Sequence, residues 1–358
     1  MRAGPRASGG PVRLRPIPGR GDNPYLVLLY EALGRAGIEV DDATSGRPAG
    51  SGAPDFVHYH WPENAIAHHR VFRQVDRFVW FFAKLALQRQ RGSAIVWTFH
   101  NSANHHDASW PALLDRARQR MVAMSDIILV HFESAREHLQ RVYGRTHNVW
   151  LVPHGKYAGY YPASQARSEA QRALGLRHED LTFLLFGDLR SYKNLETTIV
   201  AFRRWHAPHA RLVVAGGART PAYAERIRTL CEGDPRIVAH LRRVPEHQVQ
   251  TYFRAADVLM LPREVFSSGT AVLAYDFGLP LLAPRSNHIA ALSQGSACLP
   301  LVDLSEDGLR TAFASVTQAA LARARLDAVR SSAPAWDEIA SGLADALREF
   351  AGRRRPHA

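Results

Sequence analysis

Two groups of residues in this chain have the types and spacing to do chemistry. The first is basic and small. Arg190 and Lys193 lie three apart in Gly187-Asp188-Leu189-Arg190-Ser191-Tyr192-Lys193, and further on Ser267-Ser268-Gly269-Thr270 opens a helical stretch. Two cations and the unpaired N–H groups of a helix start make a site for a phosphate or diphosphate, and small residues let such a ligand come close. Gly187 and Val244 are assigned to the same site. The second group is rich in imidazole and carboxylate: His58-Tyr59-His60-Trp61-Pro62-Glu63, His100-Asn101 and His105-His106-Asp107. Removing a proton from a hydroxyl needs a carboxylate or imidazole near the reacting atoms, and Glu63, Asp107, His60 and His100 are the candidates. His58 reads as a structural hydrogen-bonding residue. These histidines come from separate strand ends, without a short paired-ligand spacing such as His-x-x-x-His, so no metal is expected.

Both groups sit where strands end. In the first half, strands are predicted at Phe56–His60, Ala94–Phe99 and Ile127–His131, after a short apolar piece at Val12–Ile17. Pro16 and Pro18 interrupt that piece and mark either a wrong start site or a loosened edge. Helices are predicted at Tyr25–Gly37, Val71–Gln90, Leu113–Met124 and Ala135–Tyr143, from apolar residues at helical spacing. A Pro-, Gly- and Tyr-rich stretch from Val152 to Pro162 reads as a hinge. The second half repeats the pattern, with strands at Leu181–Phe186, Arg211–Ala215, Ile237–His240, Val258–Leu261 and Pro280–Ala283. Its helices are expected at Leu195–Trp205, Ala222–Cys231, Glu246–Ala256, Ser268–Phe277 and Ser305–Val316, with a last helix at Trp336–Gly352. Strands alternating with helices predict an α/β protein of two doubly wound parallel sheets. Ligands of such sheets lie at the carboxyl ends of the strands, here in a cleft between two facing halves. The domains are read as 1–155, 156–330 and a C-terminal helix, 331–358, that crosses back to the first.

A length of 358 residues fits two such domains. No apolar run is long enough to span a bilayer, and Met1–Arg20 lacks the apolar core of a signal peptide, so a cytoplasmic location is expected. The two cysteines, Cys231 and Cys298, read as buried apolar residues. The net charge of +12 calls for an anionic partner. The basic residues are spread along the chain with no nucleic-acid-binding signature, which disfavours nucleic acid. The predicted helix from Val71 carries Phe78, Trp80, Phe81 and Phe82 among Arg73, Arg77 and Lys84. Either these aromatics are core packed against the sheet, or, since one helix stripe cannot bury consecutive positions from 78 to 82, part of this face suits an anionic membrane surface.

Several stretches together resemble GT-B glycosyltransferases, and more narrowly the xanthan- and acetan-type glycolipid β-1,4-mannosyltransferases that use GDP-mannose. They are Asn23-Pro24-Tyr25-Leu26, Val57 to Glu63, Thr98-Phe99-His100-Asn101, His154-Gly155, Phe186-Gly187 with Arg190-Ser191-Tyr192-Lys193, and Ser268-Gly269-Thr270 running to Pro284. The resemblance implies two Rossmann-like domains and an inverting transfer of mannose from GDP-mannose to a glycan or polyprenyl-diphosphate-linked acceptor in polysaccharide synthesis. It implies a nucleotide-sugar co-substrate, no metal or other cofactor, and peripheral attachment at the inner face of the plasma membrane. Arg190 and Lys193 would hold the donor diphosphate, with Ser267, Ser268, Gly269 and Thr270 beneath the donor. Glu63 would be the base, and His100 would shape the site or bind the donor sugar. Asn23, Tyr25, His60, Trp61, His106 and Asp107 would lie on the acceptor side. The commonest GT-B pattern has two glutamates eight apart, and Val265 and Leu273 stand in those places. A UDP-sugar-dependent transferase and a non-hydrolysing sugar-nucleotide epimerase share the architecture and remain alternatives. A basic nucleic-acid-binding protein is the non-enzymatic one.

Overall fold

Among the described residues, short apolar runs separated by amphipathic stretches fold into two parallel sheets of six strands each. The computed structural model describes residues 10–42, 52–101, 109–263, 268–331 and 333–354. The chain divides into two compact units, Met1–Gly155 with Pro334–Ala358, and Lys156–Ala333.

The first unit runs β1 (Arg13–Ile17), α1 (Pro24–Arg35), β2 (Glu39–Val40), β3 (Phe56–His60), α2 (Pro62–Ile66), α3 (Val71–Gln90), β4 (Ala94–Thr98), α4 (Pro111–Met124), β5 (Ile127–Val130), α5 (Glu133–Tyr143) and β6 (Val149–Leu151). Its strand order is β2-β1-β3-β4-β5-β6. The second unit runs α6 (Arg167–Ala173), β7 (Leu181–Phe186), α7 (Leu195–Arg204), β8 (Ala210–Ala215), α8 (Pro221–Cys231), β9 (Ile237–His240), α9 (Glu246–Ala255), β10 (Val258–Met260), α10 (Gly269–Asp276), β11 (Leu281–Ala283), α11 (Asn287–Leu292), β12 (Cys298–Pro300), α12 (Glu306–Ser315) and α13 (Gln318–Arg330). Its order is β12-β11-β10-β7-β8-β9. The direction of winding reverses between β7 and β10, which is where a doubly wound sheet opens a crevice for a ligand.

Helix α14 (Trp336–Arg354) belongs to the first unit and packs on α1. Leu26, Leu29 and Leu33 of α1 and Ala340, Leu343 and Leu347 of α14 share one core over a single face of the sheet. Strand periodicity decides what lies beneath them. Phe56, Ala94 with Val96, Ile127 with Leu129, and Trp150 with Val152 all point to that core. The next positions of the same parity are His58 and His60, Thr98 and His100, His131, and His154. The apolar face therefore turns into a row of histidines at the carboxyl ends of four neighbouring strands.

The strand from Val12 is not an edge. β2 lies outside it but pairs only with Arg13 and Leu14, while Pro16 pairs towards β3 opposite His58. Pro16 is tolerated because β2 has ended before the missing N–H would need a partner. The three short outer strands β2, β6 and β12 carry too few residues to show a period. Helix α13 buries Leu321, Ala324 and Ala328, a stripe of mostly small residues that gives little hydrophobic signal.

Helix α3 divides its aromatics. Phe81, Phe82 and Leu85 are buried, whereas Phe72 is 86% and Trp80 68% exposed. Val79 and Leu87 are exposed on the same side, beside exposed Arg73, Arg77 and Lys84. Among the described residues no helix is long and apolar enough to cross a membrane.

Candidate functional site

In the second unit, the site is built by the loops after β7 and β10. Gly187 ends β7 with φ +98°, and Gly216 ends β8 with φ +152°. A Cβ on Gly216 would lie 1.9 Å from the Gly187 carbonyl oxygen, so this close crossing of two strand ends admits only glycine. Beyond it Leu189 N–H bonds to the Gly217 carbonyl at 2.9 Å, which fixes the start of the 188–193 loop. Asp188 then holds both cations. Its carboxylate pairs with Arg190 at 3.1 Å, and its backbone carbonyl accepts from Lys193 Nζ at 2.6 Å.

A hollow at the crevice is lined by Asp188, Lys193, Pro262, Arg263 and Thr270 together with the apolar ends of β7 and β10. Burial, then the charges of Arg263 and Arg190, lowers the Lys193 ammonium to about 8, against a pull upward from Asp188. Arg263 also stands over the Tyr192 ring, 5.9 Å from its centroid. Sequence reasoning passed over Arg263. Its signal was its place directly after a predicted strand.

Ser268 caps α10. Its hydroxyl accepts from Ala271 N–H at 3.3 Å, and its own N–H donates to His288 Nε2 at 3.0 Å. Gly269 and Thr270 occupy the first turn, whose N–H groups have no partner within the helix. Val244 is half-buried in the turn before α9. Ser267, His106 and Asp107 lie outside the described residues.

In the first unit, β3, β4, β5 and β6 deliver the histidine row beneath α1 and α14. Tyr30 Oη lies 2.9 Å from His58 Nδ1 and 2.6 Å from His60 Nε2. His58 Nε2 contacts Thr98 Oγ1 at 2.8 Å, so both of its ring nitrogens are engaged in the interior. His60 Nδ1 contacts His100 Nε2 at 2.9 Å. Burial lowers His58 to about 3 and His131 to about 4, and takes His60 and His100 well below the ordinary value, so all four rings are neutral.

Trp61 stacks on His100 with ring centroids 4.3 Å apart. It does so with φ 45° and ψ 56°, a left-handed conformation that costs a non-glycine residue about 1–2 kcal/mol. Next to it, Glu63 opens α2 and hydrogen-bonds Asn101. Burial raises its carboxyl above the ordinary range despite Asn101 and the Arg118 charge.

The structure thus brings Glu63, His60, Trp61 and His100 together. Asn23 is the cap of α1, its Oδ1 accepting from Tyr25 N–H at 3.1 Å. Tyr25 is 5% exposed, its ring enclosed by His60, His100, His131, His154 and Trp336. Both residues support the site from below. Among the described residues no cluster of His, Cys, Asp or Glu has the geometry to hold a metal ion.

The model of the family described as Glycosyl transferases group 1 matches residues 180–326, the stretch that carries the crevice and its cations. A GDP-mannose:glycolipid 4-beta-D-mannosyltransferase of Xanthomonas campestris pv. campestris is 28% identical over 283 residues, covering 77% of this chain and 74% of its own. The chain is a glycosyltransferase of the GT-B type. Solved structures agree on the fold. Sucrose-phosphate synthase from Thermosynechococcus elongatus matches with a TM-score of 0.69 at 18% identity, over 96% of this chain and 100% of its own. Anabaena HepE in complex with UDP and glucose has a TM-score of 0.69 at 13% identity, over 95% and 100%.

This transferase buries Leu273, at 5% exposure, where the commonest GT-B pattern has its second glutamate. An apolar residue there cannot accept hydrogen bonds from a ribose. Sequence reasoning also left His131 and Tyr30 unassigned. The parity of β5 and the helical spacing of α1 place them, but only the packed sheet shows that they meet.

Proposed function

We infer that this glycosyltransferase moves a mannosyl group from GDP-mannose, with inversion, onto a hydroxyl of a lipid-linked glycan. The observation that carries the reading is the likeness to the Xanthomonas mannosyltransferase, which extends over 77% of the chain and therefore into both units. The donor side is the β7–β10 crevice. Arg190, Lys193 and Arg263 offset the diphosphate charge as it leaves, and the first turn of α10 adds aimed N–H groups. With three cations in place, no metal is assigned to the reaction. On the acceptor side Glu63 takes the hydroxyl proton. A carboxyl raised by burial is a better base near neutral pH than an exposed one. His100, stacked on Trp61, shapes the sugar site. The exposed Phe72, Val79 and Trp80 beside Arg73, Arg77 and Lys84 suit an approach to anionic lipid, where such an acceptor resides.

The test is thermal denaturation with GDP, GDP-mannose, UDP and UDP-sugars, since a ligand of the folded state raises the midpoint by mass action. Stabilisation by the guanine compounds, lost in Arg190→Ala and Lys193→Ala, is the expected result. Stabilisation by uridine compounds alone would discard the mannosyl reading. Conversion of a nucleotide sugar to an epimer without acceptor would replace the transfer reaction itself.

A further inference from the structure

Hydrogen counting along the buried chain in the first unit has a definite outcome. The contacts run Thr98 Oγ1, His58, Tyr30 Oη, His60, His100, each at 2.6–2.9 Å. Burial keeps every ring neutral and holds the Tyr30 phenol protonated, with its pKa raised further by Tyr25 and by Asp42. Asp42 itself pairs with Arg20 at 2.8 Å. A neutral imidazole has one N–H and one lone pair, and a phenol has one hydrogen. Among the described residues the two rings are the only acceptors within reach of the Tyr30 hydrogen, so Tyr30 donates to one of them and accepts from the other.

Only two arrangements satisfy all four contacts. In one, His58, His60 and His100 all carry hydrogen on Nδ1. In the other, all three carry it on Nε2. The rings switch together, so the intrinsic preference of a neutral histidine for the Nε2–H form acts three times over. That form also leaves the Thr98 hydroxyl hydrogen free to bond Tyr25, its second neighbour.

His131 takes the opposite tautomer, and it is fixed independently. Its Nδ1 lies 2.8 Å from the Val152 carbonyl oxygen, which can only accept, so Nδ1 bears the hydrogen and Nε2 the lone pair. His131 is 7% exposed, and its Nε2 has no hydrogen-bond partner among the described residues. The His131 and His100 rings are 5.3 Å apart. A buried, unpartnered acceptor is costly unless something donates to it.

We propose that Tyr30 is a positioning residue that, through His60, holds His100 as the Nε2–H form, so that His100 Nδ1 and His131 Nε2 are a pair of unprotonated nitrogens for sugar hydroxyl groups. The sugar part of this rests on the reading of the first unit as the acceptor side. Neutral nitrogens suit a polyol, because each receives a hydroxyl hydrogen without placing a charge in the interior.

The test is side-chain ¹⁵N NMR of the full chain labelled at histidine, with resonances assigned by single His variants. In the wild type, His100 Nδ1 and His131 Nε2 resonate as unprotonated nitrogens. Methyl hexosides and cellobiose, used as soluble probes, shift both. Tyr30→Phe keeps the ring and removes the hydroxyl, so His100 becomes a mixture of the two forms and probe affinity falls in proportion to the share that keeps Nδ1 unprotonated, about twofold at equal populations. Thr98→Val breaks the far end of the chain and shifts the His100 population without touching Tyr30, which keeps the test open if Tyr30→Phe folds poorly. GDP affinity stays unchanged in both variants. Hydrogen on His100 Nδ1 in the wild type, or an unaltered His100 in both variants, overturns the proposal. The expected tautomers with no response to any sugar probe would leave the lock standing and overturn the sugar-binding half, and with it the acceptor reading.

Discussion

The low pKa of Lys193 makes donor binding depend on pH in a range, about pH 7 to about pH 9, where an ordinary lysine is still fully charged. Burial and the neighbouring Arg263 and Arg190 charges bring this ammonium from 10.5 to about 8 in the free protein. A bound diphosphate supplies negative charge beside it and raises its pKa again. The sign follows. Below about pH 8 Lys193 is charged with or without ligand, and the affinity is at its full value. Above about pH 8 the free protein has lost the proton that the complex needs, and affinity falls by up to about tenfold per pH unit. For one such proton the loss between about pH 7 and about pH 9 is about tenfold, or about 1.4 kcal/mol. The assay is calorimetric titration with GDP at constant ionic strength across that range, in buffers of different ionisation enthalpy, which also count the proton taken up. Lys193→Arg carries a permanent charge and binds with a flat profile, while titration of the nucleotide itself is common to both proteins. An equally steep profile in Lys193→Arg, or a flat one in the wild type, refutes the reasoning.

Other outcomes follow from the same geometry. Glu63→Gln keeps GDP binding and thermal stability but lowers turnover by about a hundredfold or more, the range for losing a general base; near-normal turnover in a steady-state assay removes Glu63 from that role. Gly216→Ala drives a methyl group into the Gly187 carbonyl, costs about 1–3 kcal/mol and weakens GDP binding; a variant with unchanged melting temperature and affinity counts against the strand-end crossing as the base of the site. Phe72→Asp with Trp80→Asp, both at exposed positions of α3, leaves the melting temperature within a few degrees and abolishes sedimentation with anionic vesicles; sedimentation of the double variant at the wild-type level would exclude this face as the lipid contact.

Much of this protein is legible along the chain. Apolar runs bounded by Gly and Pro set the strands of both sheets, because a strand buried on both faces must be apolar throughout. The alternation with helices dictates parallel winding. Arg190, Lys193 and the Ser268–Thr270 helix start are visible because cations and small residues directly after a strand have few other uses. The strands β2, β6 and β12, at the margins, are set by pairing with a neighbour and leave almost no periodic trace.

The electrostatic state of each site was decided only in three dimensions. Lys193 is a common residue until Arg263, seventy positions on, stands beside it across the β7–β10 crevice and burial lowers its pKa. Likewise, the sequence shows a histidine at the end of each of several strands but not that they form a row. Sheet order aligns His60, His100, His131 and His154 under α1 and α14, and Gly155 lets the Trp336 ring close over them, since a Cβ there would lie 2.4 Å from it. Local propensity is carried by neighbours in sequence, whereas charge, tautomer and hydrogen-bond satisfaction depend on what packs against a group. Those contacts exist only once the sheets have formed.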